Sequence, residues 1–285
     1  MRIGNNPLRF KPAPYEFKPV VCLVVVHLPD DDDTGYHAHR MDVVKTCLTT
    51  MRNGAKRDHT FFVWDNGSSI WFREWLEFEF KPDMLMLSPN IGKNPARASA
   101  IQMLPLGTIV AYSDDDIFYY DNWLTPQIDL LNHFPNVACV SGYPVRTQFR
   151  WGVENTLKWA RENAKVKQGR FIPTEWEKDF CVSIERDWQY HLDYTEKDID
   201  FKIIYEGKEA YATAHHCQFI GYAVNILPAL HHDNLAMSDE KRFDTEMDRH
   251  GLRLCTTQRY ARHIGNVLDD SFKELLNAAS LQEQV

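Results

Sequence analysis

The sequence predicts an α/β fold: a Rossmann-like, mostly parallel central sheet flanked by helices on both faces. Three observations carry it. Strand-sized apolar runs alternate with helix-length segments from residue 20 to about residue 145. Polar clusters recur where those runs end, as the ligand-binding edge of such a sheet requires. The chain has 285 residues, 44% of them apolar and 25% charged, ample for one buried core and close to the soluble globular average.

The elements follow in order. Residues 1–19 carry four prolines and little periodicity, and form an irregular lead-in. VVCLVVV (20–26) is a strand buried on both faces. Residues 39–53 have helical apolar spacing, with Gly54 as the stop. HTFFVW (59–64) is a strand ending at Asp65-Asn66-Gly67. Residues 68–80 form a helix with Ser68 or Ser69 as cap. Residues 83–88 are a short strand, 93–104 an Ala-rich helix and 107–113 a strand that runs into three aspartates. Residues 123–134 are helical and 136–143 a strand. The first half therefore reads β-α-β-α-β-α-β-α-β. Later the pattern loosens: helices are expected at 153–167, 238–251 and 269–282, and strands at 201–205 and 216–224.

Composition excludes several classes. Lys and Arg number 32 against 40 Asp and Glu, giving a net charge of −8, a poor basis for general affinity to nucleic acid or anionic membrane. No run of 18 apolar residues occurs, and residues 1–17 lack the apolar stretch of a signal peptide, so the chain is expected to be cytoplasmic, without an integral membrane segment. Cys22, Cys47, Cys139, Cys181, Cys217 and Cys255 show no CxxC spacing and are expected as reduced core thiols. No GxxxxGK[ST] loop is present.

Asp114-Asp115-Asp116 is the sharpest chemical feature. Adjacent carboxylates repel unless a cation or hydrogen bonds compensate. If the strand continued, Asp114 and Asp116 would share a face. Oxygen ligands suit Mg²⁺ or Mn²⁺, ions that also hold phosphates. Asp30–Asp33 lacks the spacing of a calcium loop and reads as a solvated loop, as do His231-His232-Asp233. His215-His216 form a further cluster without an assigned role. Most tryptophans are expected in the core, with Trp151 and Trp176 as the ones that could line a site instead.

Five segments in order resemble the GT-A-fold inverting glycosyltransferases of family two: VVVHLP with RMDVVKTCLTTM, FFVWDNGSS, NIGKNPARASAI, IVAYSDDDIFYYDNWL, and SDEKRFDTEMDRHGLRL with RYARHIGN. The resemblance covers about residues 20–145 and 236–266. It implies a nucleotide-sugar-binding half at 20–145 and an acceptor-binding, catalytic half of the same domain at 146–285. Asp65 matches the carboxylate that accepts the imide N–H of a nucleotide base, usually uracil, and Asn90 and Gly92 match the turn beside the nucleotide. Arg97 matches a basic position there. Asp114 lies toward the ribose, with Asp115 beside it among the nucleotide-sugar contacts. Asp116, with Asp114 and His263, matches the metal site. The catalytic base falls at Asp239 or Glu240, with Asp239 preferred, although two acids in a first helical turn would also simply stabilise the helix. The implied reaction transfers a sugar from a nucleoside diphosphate, UDP first, to an acceptor hydroxyl with inversion, using Mn²⁺ or Mg²⁺. The acceptor could be a glycan, a lipid-linked sugar, a protein or a modified base. The alternatives are a non-catalytic nucleotide- or carbohydrate-binding domain and a sugar nucleotidyltransferase; the latter lacks its Gly-rich loop here.

Overall fold

The computed structural model describes residues 17–29, 40–230 and 239–265. The expected loops at 30–33 and 231–233, most of the lead-in and the helix at 269–282 lie outside them. Strand β1 (Val20–Val26) leads to α1 (Arg40–Gly54), then β2 (Thr60–Asn66), α2 (Ile70–Trp75, continued by a π turn, Leu76–Phe80), β3 (Met84–Ser88), α3 (Lys93–Gln102) and β4 (Ile109–Ser113). A short β5 (Ile117–Tyr119) precedes α4 (Leu124–His133) and β6 (Val137–Ser141). The second half adds α5 (Glu154–Asn163), β7 (Lys165–Gly169), α6 (Thr174–Ser183), α7 (Trp188–Thr195), β8 (Asp200–Tyr205), β9 (Lys208–Tyr211) and β10 (Gln218–Tyr222). Then come α8 (Ala223–Ile226), α9 (Asp239–His250), β11 (Leu252–Cys255) and β12 (Ala261–His263).

Ten of the described strands form one sheet in the order β3-β2-β1-β4-β10-β6-β11-β9-β8-β7. The β3-β2-β1-β4 half is parallel, as the β-α alternation predicts. Beyond it, β10 runs antiparallel to β4 and β6, and the β9-β8-β7 meander is antiparallel. Helices cover both faces. On β1, Val20, Cys22, Val24 and Val26 join the cluster holding Val44, Leu48 and Met51 of α1 and Leu124 and Leu131 of α4. Val21, Leu23 and Val25 join the opposite cluster, with Ala96 and Ala100 of α3 and Phe243 and Met247 of α9. Burial on both faces explains why β1 is a continuous apolar run rather than an alternation.

Three local expectations change. The helix expected over 153–167 stops at Asn163, because Lys165–Gly169 pairs antiparallel with β8 and gains a full ladder there. Neither serine caps α2 through its side chain: Ser69 makes no cap bond, and Ser68 Oγ accepts the Leu28 N–H at 2.9 Å. Strand β4 ends at Ser113, so the three aspartates lie in the turn before β5 and strand alternation does not govern them. All six cysteines are free and buried, as expected. No helix among the described residues is long and apolar enough to cross a membrane.

Candidate active site

At the carboxyl ends of β1, β2 and β4 opens a cleft of about 430 Å³. Its lining includes His27, Arg40, Asn66, Asn90, Gly92, Lys93 and all three aspartates. This is the edge where the parallel half meets antiparallel β10.

The aspartates solve their mutual repulsion with three different partners. Asp114 accepts Tyr112 Oη–H at 2.8 Å and pairs with Lys93 Nζ at 2.7 Å. Asp115 pairs with Arg40 Nη2 and accepts the His27 N–H at 3.3 Å. Burial still pushes its carboxyl above the usual range, with Arg40 working against it. Asp116 stands 3.3 Å from His263 Nε2 through Oδ2. Its Oδ1 is buried and has no hydrogen-bond partner among the described residues. Burial works to raise the Asp116 carboxyl, but His263, Arg40 and Lys93 outweigh it and hold the group well below its ordinary range. His263 reaches this place because β12 pairs with β5, opposing His263 to Ile117. The Ser183 hydroxyl lies 2.9 Å from its Nδ1 and fixes the ring. Despite burial, Asp116 raises the His263 pKa.

The β2 end separates two neighbours. Asp65 is fully buried: Oδ1 accepts the Ser68 N–H at 3.0 Å and Oδ2 receives Arg73 Nε at 2.5 Å. It is not among the residues lining the cleft. Asn66 is, and its side chain ties the turn together, donating to Asn90 Oδ1 at 3.2 Å and accepting the Ile91 N–H at 2.9 Å. Asn90 and Gly92 line the cleft as expected, and the Gly92 φ of 90° suits glycine at the head of α3. Arg97 does not join them. It is buried on α3, its guanidinium 4.3 Å from the Phe243 ring and its Nη2 3.0 Å from Asn94 Oδ1.

Helix α9 brings in the second acidic pair. Asp239 opens the helix, and its side chain lies outside the described residues. Glu240 reaches the cluster: Oε1 is 3.2 Å from Lys93 Nζ, the same ammonium that holds Asp114. Burial raises its carboxyl, but hydrogen bonding and charge from His216, with Lys93 beside them, outweigh this and leave it strongly depressed. Asn66, Lys93, His27 and His216 received no site role from the sequence, although Asn66 stood at a polar strand end and His216 in the His215-His216 pair. Asn66 had a signal, since only alternate residues of a strand end share a face and its neighbour Asp65 turns inward. Lys93 lay inside a motif already singled out, one residue after Gly92.

For a divalent ion, Asp116 offers a carboxylate with an oxygen to spare and His263 a nitrogen. No group of three or more His, Cys, Asp or Glu among the described residues could hold an ion by itself. The set therefore fits an ion that takes its remaining ligands from substrate phosphate and water, the usual habit of Mg²⁺.

No protein-family profile and no characterised protein matches the chain in sequence. Solved structures do match it in fold. The crystal structure of GalNAc-T7 with UDP, GalNAc and Mn²⁺ aligns at TM-score 0.50 and 12% identity, over 87% of this chain and 44% of that one. Staphylococcus aureus TarS aligns at TM-score 0.50 and 10% identity, over 92% of this chain and 39% of that one. The chain thus spans less than half the length of either. Both are glycosyltransferases of the GT-A type, and the fold of this chain is GT-A-like.

Proposed function

We propose that the chain is a metal-dependent glycosyltransferase that moves a sugar from a nucleoside diphosphate sugar, UDP-linked first, to an acceptor hydroxyl with inversion. The observation that carries the reading is Asp116. A buried carboxylate oxygen without a partner among the described residues, on a residue lining the cleft of a GT-A-like sheet and beside His263, is costly unless something occupies it.

In this reading Asn66, Asn90 and Gly92 bound the base and ribose end of the cleft. Lys93 and Arg40 supply positive charge where a diphosphate would lie. Asp116 and His263, with Asp114 beside them, would hold Mn²⁺ or Mg²⁺. Such an ion, when bound, neutralises charge on the leaving diphosphate. Asp114 and Asp115 orient the cations around the donor. Glu240 accepts the proton of the acceptor hydroxyl as that oxygen attacks the anomeric carbon from the face opposite the diphosphate. A single displacement of this kind inverts the configuration. Between Asp239 and Glu240, the contact of Glu240 with Lys93 favours Glu240. His216 and Lys93 hold Glu240 ionised, and transfer of Lys93 to the diphosphate would raise its basicity. A glycan, lipid-linked sugar, protein or modified base would each present a suitable hydroxyl, and a cytoplasmic location suits any nucleotide-sugar pool there.

Calorimetry with UDP and GDP, with and without Mn²⁺, tests the donor site. Mn²⁺-dependent UDP binding that disappears in Asp116→Ala supports it. Nucleotide release from a panel of UDP-sugars then separates a transferase from a binding domain. Absence of binding by a folded sample overturns the reading.

A further inference from the structure

Charge continues behind Glu240. Its Oε2 lies 2.9 Å from His216 Nε2, and His216 Nδ1 lies 2.9 Å from Asp244 Oδ2. Asp244 Oδ1 receives Arg253 Nη2 at 2.6 Å. Arg253 in turn donates to the carbonyls of Trp151, Gly152 and Ala214. Glu240 and Asp244 stand four residues apart on α9, so they share one face and His216 bridges a single helical turn. With Lys93 and Asp114 the result is a chain of alternating sign: Arg253, Asp244, His216, Glu240, Lys93, Asp114.

The two ends of this chain differ. Asp244 and Arg253 are buried, at 1% and 0% side-chain exposure, whereas Glu240 and Lys93 are 45% and 42% exposed, Lys93 lining the cleft and Glu240 reaching its edge through Lys93. An imidazole can donate to carboxylates on both nitrogens only when both carry protons. The charged and titratable groups around His216 fit that state. Asp244 and Glu240 face it directly, Lys93 and Arg253 sit beyond those carboxylates, and His215, whose ring centroid is 4.6 Å away, is held neutral by burial.

We propose that His216, anchored by Asp244, is a positioning residue that aims Glu240 into the cleft. This rests on Glu240 being the acceptor-side carboxylate. A diphosphate entering the cleft would compete for Lys93 but could not displace His216, because His216 is tethered to a buried aspartate. Glu240 would then keep its orientation when its contact with Lys93 is exchanged.

Imidazole ¹⁵N titration of the ligand-free full chain tests the contact, with the His216 signal assigned through His216→Gln. In the wild type the signal should keep its doubly protonated form to about pH 9. Glu240→Gln and Asp244→Asn should each lower the pH at which that form is lost. A neutral ring at pH 7, or a titration untouched by Glu240→Gln, overturns the proposal. Turnover of whichever panel UDP-sugar the wild type consumes supplies the second readout. His216→Gln and His216→Ala should lower kcat about 10- to 100-fold, as small misplacement of a reacting group does. Donor KM and Mn²⁺-UDP affinity should stay within about twofold, as for any residue acting only through Glu240. Nucleotide binding with unchanged turnover in a folded His216→Ala overturns this proposal alone. Failure of the wild type to bind any nucleotide overturns the transferase reading on which it rests.

Discussion

Removing the Asp65 carboxylate should destabilise the protein and leave nucleotide affinity nearly unchanged, which is the reverse of what a base-binding aspartate would do. Asp65 is fully buried, and Asp65→Ala strips the Ser68 N–H of its acceptor. An orphaned buried donor costs roughly 1–3 kcal/mol. The Arg73 pair is lost too, but Arg73 is 32% exposed and keeps the Ser88 carbonyl at 3.2 Å, so it can rehydrate. That adds about 1 kcal/mol at most, in the range of exposed ion pairs. The total, about 1–4 kcal/mol, should lower Tm by roughly 2–16 °C at ~2–4 °C per kcal/mol for a domain of this size. Asp65→Asn preserves an acceptor for Ser68 and should lose about half as much. Thermal unfolding and Mn²⁺-UDP titration on the same samples decide the matter. A charge-assisted bond to a base is worth about 1.5–3 kcal/mol, or roughly 10- to 150-fold in Kd. A loss of that size in Asp65→Asn with Tm unchanged would refute the structural role.

Asp116→Ala should fold, shown by circular dichroism, yet lose Mn²⁺-dependent UDP binding and transfer; full activity would sink the metal assignment. Glu240→Gln should lose about 10²- to 10⁴-fold in transfer with nucleotide binding kept, the usual scale of a lost general base; a dead Asp239→Asn beside an active Glu240→Gln would move the base to Asp239. Gly67 has φ 86°, and a Cβ there would lie 2.5 Å from the Asn90 N, so Gly67→Ala should lower Tm and weaken nucleotide binding by displacing the Asn90 turn. Unchanged calorimetry would show that this turn is not part of the site. His216, raised from 6.5 to about 9, is stabilised fully below pH 6.5 and loses that contribution as pH rises through about 9. The wild type's urea stability advantage over His216→Gln should therefore shrink by ~3 kcal/mol between pH 6.5 and 9.5, counted once for the paired groups; a constant difference would contradict it.

The parallel half of the sheet was legible because its signals are local. An apolar strand, a helix-length segment and a polar strand end repeat often enough to specify β1 through β4 and the parallel character of that half. The second half was legible only in part because its strands are set by partners remote in sequence. Lys165–Gly169 reads as the tail of an amphipathic helix and becomes a strand through β8, and β12 is a three-residue segment defined by its bridge to β5. The site followed the same division. Asp114 and Asp116 stood out by type and position, and Asn90 and Gly92 through the family resemblance. Whether Asp65 or Asn66 faced the cleft depended on how the strand end turns. Arg97 carried the right charge, but its stack on Phe243 of α9 was invisible from the α3 motif.

The three aspartates show why a motif of like charges cannot be assigned residue by residue from its spelling. Each needs compensation, and in the turn after β4 each finds it from a different element. Lys93 at the start of α3 serves Asp114, Arg40 at the start of α1 serves Asp115, and His263 on β12 serves Asp116. Two of these partners are permanently charged and leave their carboxylates as members of ion pairs. The third is a histidine, which can either donate a proton to Asp116 or, once neutral, offer a lone pair beside it. Asp116 is also the member of the three with a buried oxygen still unpartnered among the described residues. The fold therefore distinguishes residues that the sequence makes identical. Asp114 and Asp115 anchor the cations that shape the cleft, while Asp116 keeps coordination capacity in reserve. On this reasoning Asp115→Asn should mainly perturb the Arg40 contact and stability, whereas Asp116→Asn should abolish the metal-dependent part of nucleotide binding.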